Sequence, residues 1–177
     1  IVLDDKNGGF GGTTLTVSAG TLSNTGTLRS TDTSGGGGTL TLAAQVTNTG
    51  PLDIDHDLTV ANASKTFDTT AGTLDVLSGK TLTVSGTGGT ALFGTGTVLT
   101  GTGTVLMGGG TALNLSTNFT LAATAATLSL NGTGGTTVGG AGTFIVATGA
   151  TQSVVADTFN AALTNQGTVT VSGGGGS

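Results

Sequence analysis

The stretch that decides the fold opens with Phe67-Asp68-Thr69-Thr70-Ala71-Gly72-Thr73-Leu74-Asp75-Val76 and runs on to Phe144. Within it Phe recurs at Phe67, Phe93, Phe119 and Phe144, at spacings of 26, 26 and 25 residues. Between these aromatics lie phrases of one kind: Gly96-Thr97-Val98-Leu99, Gly103-Thr104-Val105-Leu106 and Thr127-Leu128-Ser129-Leu130. Apolar residues alternate with Thr or Ser, and Gly stands at the corners. A fixed period of this type predicts a stacked repeat in which each coil buries its inner face against its neighbours. The reading is therefore all-β, a parallel β-helix (β-solenoid) of about seven coils. A single domain is expected over residues 1–172, followed by a Gly-rich tail or linker at 173–177.

The same phrases recur on both sides of this stretch. Thr14-Leu15-Thr16-Val17 is the first clear strand, with Leu15 and Val17 on one face and both Thr on the other. Asn24-Thr25-Gly26, Asn48-Thr49-Gly50 and Asn165-Gln166-Gly167 repeat as corners. Asn tolerates left-handed backbone angles and Gly reaches them freely. Between two strands such a corner would suit a hairpin, but the 25–26-residue aromatic period favours coil corners. The Ala-rich passage 121–128 lacks helix caps and long straight side chains, so a tight strand or corner is expected there. Inward residues are expected to include Leu15, Val17, Leu40, Leu42, Leu58, Val60, Phe67, Leu82, Val84, Phe93, Phe119, Phe144 and Val169.

Composition agrees with this architecture. In 177 residues Thr outnumbers even the 35 Gly, and there is one Pro, no Cys, no Trp, no Tyr and no Glu. Thr, Val, Leu and Phe suit a pleated, half-buried backbone. So much Gly without a triplet period excludes collagen, and regular apolar alternation argues against disorder. Zero Cys removes thiol catalysis and Cys-based metal sites. The chain starts at Ile1 without an initiator Met or a basic-then-apolar leader, which suggests a processed chain or an excerpt.

The formal charge is −5, so nothing resembles a phosphate-neutralising surface, and nucleic acid is not an expected partner. No apolar run approaches the ~18 residues that span a bilayer, so no membrane insertion of this segment is expected. Every charged residue except Asp157 falls at or before Lys80. Beyond that point the outward positions are neutral and hydrogen-bonding, and they lack the charges that discourage edge-to-edge association. Such a surface suits contact with a copy of itself, a glycan layer or ice.

Gly12-Thr13-Thr14-Leu15-Thr16-Val17, Gly20-Thr21-Leu22-Ser23-Asn24-Thr25-Gly26-Thr27-Leu28 and Gly101-Thr102-Gly103-Thr104-Val105-Leu106 resemble the passenger repeats of bacterial autotransporters. The ending Asn165-Gln166-Gly167-Thr168-Val169-Thr170-Val171 is similar to haemagglutinin-type repeats of large secreted adhesins. This resemblance implies a right-handed parallel β-helix, secreted or displayed on the bacterial cell surface. It would serve as a stalk, adhesin or extracellular filament that associates with itself, a surface glycan or a host receptor. The family supplies no catalytic motif that these residues match, so no catalytic residue and no bound organic cofactor is expected.

The one charged cluster is Asp53-Ile54-Asp55-His56-Asp57. On a strand Asp53, Asp55 and Asp57 point outward, and carboxylates are hard ligands suited to calcium. Residues two apart on a strand lie about 7 Å apart, so they converge on one ion only where the backbone turns; otherwise they form a solvated patch that keeps the strand soluble. His56 is the only His, which rules out a His-pair zinc site. No Gly-x-Ser-x-Gly elbow accompanies it, so a structural His at a corner is expected. Paired Asp residues such as Asp68 and Asp75 would suit a glycan-degrading β-helix enzyme, although no partner constellation accompanies them.

Gly86-Thr87-Gly88-Gly89-Thr90-Ala91 matches a dinucleotide fingerprint, but no helix can follow it. Asn7-Gly8-Gly9-Phe10-Gly11-Gly12 lacks the Asp of a calcium-roll repeat. The N-glycan acceptor pattern at Asn62, Asn114, Asn118 and Asn131 is coincidental in a bacterial protein. The Thr phrases define a candidate surface ladder: Thr14, Thr16, Thr39, Thr41, Thr81, Thr83, Thr168 and Thr170. Stacked on a flat face they resemble the ice-binding face of β-solenoid antifreeze proteins. The plainer reading is that Thr is a common outward β residue.

Overall fold

The computed structural model describes residues 1–6, 12–35, 37–130 and 135–172. The candidate tail at 173–177, the Asn7–Gly11 segment and the Asn131-Gly132-Thr133 acceptor lie outside those residues. Among the described residues there are strands and no helix. In chain order the strands begin with β1 (Val2–Asp4), β2 (Thr13–Asn24), β3 (Leu28–Thr31) and β4 (Leu40–Asn48). Then follow β5 (Pro51–Ile54), β6 (Leu58–Ala61), β7 (Thr66–Asp68), β8 (Thr73–Val76), β9 (Thr81–Ser85) and β10 (Thr90–Phe93). The middle holds β11 (Val98–Gly101), β12 (Thr104–Met107), β13 (Ala112–Leu115), β14 (Phe119–Leu121) and β15 (Thr127–Ser129). The last are β16 (Thr137–Gly140), β17 (Thr143–Val146), β18 (Thr151–Val155), β19 (Thr158–Phe159), β20 (Ala162–Asn165) and β21 (Thr168–Ser172).

Every pairing is parallel, so the Asn-x-Gly corners turn coils rather than hairpins. Three faces result. The first stacks β1-β3-β5-β8-β11, then β14-β17-β20. The second runs from the front half of β2 through β4, β6, β9 and β12 to β15, then β18-β21. The third takes the back halves of β2 and β4, then β7-β10-β13-β16-β19. β2 and β4 each bend across two faces. In β2 the register shifts between Thr16 and Thr21, where Gly20 takes a left-handed φ of 82° that admits the bend.

Each face rises through six paired steps, so the hydrogen-bonded ladder makes about six turns. The Phe spacing gives about seven coils. Two faces carry a seam: β11 to β14 on the first face, and β15 to β18 on the second, succeed one another without pairing. The third face carries an unbroken ladder past it.

The interior is apolar because inward positions repeat once per rung. All thirteen expected inward residues are buried or packed on the core. The Phe period, however, is not one column. Phe67 stands opposite Val46 and Ala91, and Phe159 opposite Val138 on that same third-face column. Phe93 falls two residues later, opposite Leu115. Phe119 and Phe144 pair with each other on the first face. The rings nevertheless meet edge to face around the corner between these faces: Phe93–Phe119 at 5.1 Å, Phe119–Phe144 at 5.4 Å and Phe144–Phe159 at 5.8 Å. Phe67 makes no ring contact among the described residues. The contact between Phe93, which lies before β11, and Phe119, which begins β14, carries the core across the seam.

Corners are tied by polar side chains. Asn24 and Asn48 occupy equivalent corner positions, and Asn24 Nδ2 donates to Asn48 Oδ1 at 2.7 Å and to the Pro51 carbonyl at 3.0 Å. Asn48 Nδ2 in turn donates to Thr69 Oγ1 at 3.4 Å. Gly50 has its reason here: a Cβ at that position would collide with the Gly26 carbonyl oxygen one rung away. At the Ala-rich corner Ala125 N–H donates to the Ala122 carbonyl at 3.1 Å, closing a turn between β14 and β15.

Removing the central ring should open a cavity at the seam. Phe119→Ala is expected to cost about 3–5 kcal/mol in urea unfolding. Phe159→Ala, at the half-buried end of the ring series, should cost clearly less; equal losses would show that the rings act as independent core residues.

Candidate functional site

The second face carries a registered Thr array on its outer side. Thr14 lies opposite Thr41, Thr41 opposite Thr59 and Thr59 opposite Thr83. Leu106 and Ser129 continue that column. Two residues back along the strands, Thr81, Thr104 and Thr127 form a second column. Beyond the seam Ser153 with Thr170, and Thr151 with Thr168, resume the two columns. Rungs are about 4.8 Å apart and the columns about 6.6 Å apart, so the array is a flat grid of hydroxyls and methyls.

Most of the expected ladder falls on this grid. Thr14, Thr41, Thr83 and Thr170 belong to the first column, and Thr81 and Thr168 to the second. Thr16 stands outside both, opposite Ala43. Thr39 immediately precedes β4, where its carbonyl accepts from Thr13 N–H at 3.0 Å. Thr59, Thr104 and Thr127 were invisible to a search for Thr-x-Thr phrases, because each of their strands holds a single Thr at these two positions. Only the register shows that they belong.

Charge gathers on the outside of the first face instead. Arg29 lies opposite Asp53, Asp53 opposite Asp75 and Asp75 opposite Thr100. Arg29 forms an ion pair with Asp55, and Thr100 Oγ1 donates to Asp75 Oδ1 at 2.8 Å. Asp57 Oδ1 accepts from Thr81 N–H at 2.8 Å. Asp53, Asp55 and Asp57 are thus engaged separately: Asp53 faces a carboxylate, Asp55 a guanidinium and Asp57 a backbone N–H. Among the described residues no three His, Cys, Asp or Glu side chains are grouped to hold a metal ion.

Burial raises the Asp53 carboxyl above its ordinary value of 3.8, and repulsion from Asp75 and then Asp55 adds to this against the pull of Arg29. Asp32 behaves oppositely. Backbone N–H groups of Gly37, Ser34 and Gly35 hold its carboxyl down to about 2. It closes the corner between β3 and β4.

His56 is the structural residue expected at a corner. It is buried, its Nε2 lies 2.7 Å from the Gly38 carbonyl, and its own carbonyl accepts from Ser30 Oγ at 2.6 Å. Gly38 N–H donates to Asp5 Oδ2 at 2.7 Å. Asp5 is fully buried, and among the described residues its Oδ1 has no hydrogen-bond partner. Alternation from Leu3 puts Asp5 on the inward side, and the Gly38 N–H that its carboxylate accepts comes from the neighbouring corner.

A cleft lies at the seam. It measures about 300 Å³ and is lined by Thr127, Leu128, Ser129, Thr151, Ser153 and Val155, the facing sides of β15 and β18. Gln152 partly replaces the missing ladder: its Nε2 donates to the Leu128 carbonyl at 3.3 Å and to the Ser153 carbonyl at 2.7 Å. Among the described residues that line this cleft there is no carboxylate, and Asp53 and Asp75 lie on the first face. The carboxylate pair and the cleft do not meet.

Comparison of the chain with protein-family models, with curated proteins and with solved structures finds no match.

The raised Asp53 carboxyl sets a pH dependence with a defined sign. Below pH 3.8 the group is protonated in both states and has no effect. As pH rises, the unfolded chain ionises first and stability falls. Asp53→Asn should therefore raise the melting temperature at pH 7, and the gain should vanish below about pH 3.8. A gain that persists at pH 3 would assign the effect to packing instead.

Proposed function

We propose that this chain is a non-catalytic, extracellular structural or adhesive β-solenoid, a rigid stalk or filament segment at a cell surface. The observation that carries this reading is the pair of registered Thr columns on the second face. A ladder rigid in two dimensions holds neutral hydroxyls and methyls at fixed spacing, so contact with an ordered partner requires little further loss of side-chain freedom. The partner is a surface that also repeats: a polysaccharide layer or an identical solenoid. Most charges lie on other faces, which limits the desolvation cost that ionised groups bring to a contact; the exception is Asp57, which stands opposite Thr81 at the edge of the second column and accepts its N–H.

The same grid favours a second reading, an ice-binding solenoid, because two Thr columns in register form a lattice of hydroxyls and methyls. The readings separate cleanly. Thr59→Lys and Thr104→Lys change only outward positions and should leave thermal melting within about 2 °C. For the adhesive reading, both should weaken binding to insoluble neutral polysaccharide or to immobilised chain at least tenfold. For the ice reading, the unmodified chain should shape ice crystals and slow recrystallisation, and both substitutions should abolish this. Lys variants that bind polysaccharide and chain as tightly as the original would sink the adhesive assignment of this face.

A further inference from the structure

We propose that the groove at the seam, between β15 and β18, is a binding site for a single chain of neutral polysaccharide. The site rests on the polysaccharide-binding reading above and gives that partner a place within the Thr face. The groove lies inside the stack: β15 is paired to β12 on one side, and β18 to β21 on the other. Thr127 and Ser129 line one wall and Thr151 and Ser153 the other, at the point where both columns of the grid are interrupted. Leu128 and Val155 add apolar surface between these hydroxyls. A second cleft of about 200 Å³ shares Thr127, Leu128 and Thr151 and carries the groove on to Ala122, Ala123 and Gly149 at the Ala-rich corner. With about 300 Å³ in its main part, the groove reaches the range of small-ligand sites, ~300–1,000 Å³. Its continuous course from the corner to Ser129 and Ser153 suits a chain that lies along the strands.

The polar groups select the class of ligand. An extended peptide would join these strand edges through main-chain hydrogen bonds, but side chains of the protein itself already engage several of the groups it would use. Gln152 Nε2 donates to the Leu128 and Ser153 carbonyls, at 3.3 and 2.7 Å. Asp157 Oδ2 accepts the Val155 N–H at 2.9 Å, and its Oδ1 accepts the Thr136 N–H at 2.7 Å. What the walls still offer is hydroxyls, each able to donate and to accept. The buried Gln152 amide also keeps an acceptor, Oε1, without a partner among the described residues. None of the described lining residues is charged, so nothing there offsets the desolvation of an ionic ligand. A neutral sugar chain matches on each count. It brings many hydroxyls to the walls, the C–H faces of its rings to Leu128 and Val155, and no charge.

The test titrates soluble neutral hexasaccharides of the β-glucan, α-glucan, β-mannan and chitin series into the chain, followed by isothermal calorimetry. At least one series should bind the original chain. Ser153→Trp sets a ring in the groove from an outward, exposed position and should weaken that binding about tenfold or more. Thr59→Lys, three strands from β15 on the same face, should leave it within about twofold. Circular dichroism checks each fold, and Thr151→Trp replaces a Ser153 variant that does not fold. An original chain that binds none of the series overturns the groove, and so does a folded Trp variant that binds like the original. Equal loss in Thr59→Lys would move the sugar onto the Thr columns, leaving the proposed function intact and the groove wrong. A Thr-Val-rich decapeptide that binds where no sugar does would make the groove a strand acceptor and likewise overturn the proposal. Insoluble polysaccharide that the original chain fails to retain, while hexasaccharide binding is lost only in the Trp variants, would remove the Thr columns as the contact surface and support the groove alone.

Discussion

A single coil of this chain cannot bury its inner face. Each winding offers a few short strands with two or three inward apolar residues apiece, and those residues leave water only when the next winding lies on top. Parallel pairing between windings is therefore the constraint on which everything else depends. It holds inward Leu, Val and Phe in columns, and it forces outward residues into columns as well. The core and the surface grid are two sides of one register.

The seam shows how much of that pairing can be lost. At β11–β14 and β15–β18 the ladder lapses on two faces, and the structure stays continuous through three substitutes. The third-face ladder runs past unbroken. Phe93 and Phe119 pack across it. The Gln152 amide takes up the Leu128 carbonyl that a strand would otherwise engage. The cleft at this point is the geometric cost of the lapse, lined by the hydroxyls and methyls of unpaired strands.

In the proposed function, contact and hydration draw on different faces of the same rod. Charges on the first face, with Arg29 beside Asp53 and Asp55, keep one side hydrated. The second face is left almost neutral, and a neutral, regular face is the one that can lie against another regular surface. The corners do the rest of the structural work. Asn24 and Asn48 bond side chain to side chain, and Asp5 and His56 anchor the longer connections through the two sides of Gly38.

The amino-acid sequence alone determined that this chain is a β-solenoid. Alternation fixes which residues turn inward, and the 25–26-residue Phe period favours reading the Asn-x-Gly corners as coil corners rather than hairpins. It also showed that charge, Asp157 apart, is confined to the first half. The sequence could not show how the coils align, since coil length varies and each insertion shifts every later residue. Only the tertiary structure decided that Phe67 and Phe93 stand in different columns, that Thr59, Thr104 and Thr127 complete the grid, that Asp53 faces Asp75 rather than converging with Asp55 and Asp57, and that the Gly38 N–H meets the Asp5 carboxylate. The physical reason is the same in each case. Neighbours within a strand are set by the chain, but neighbours across a rung are set by register, and register is a property of the stack.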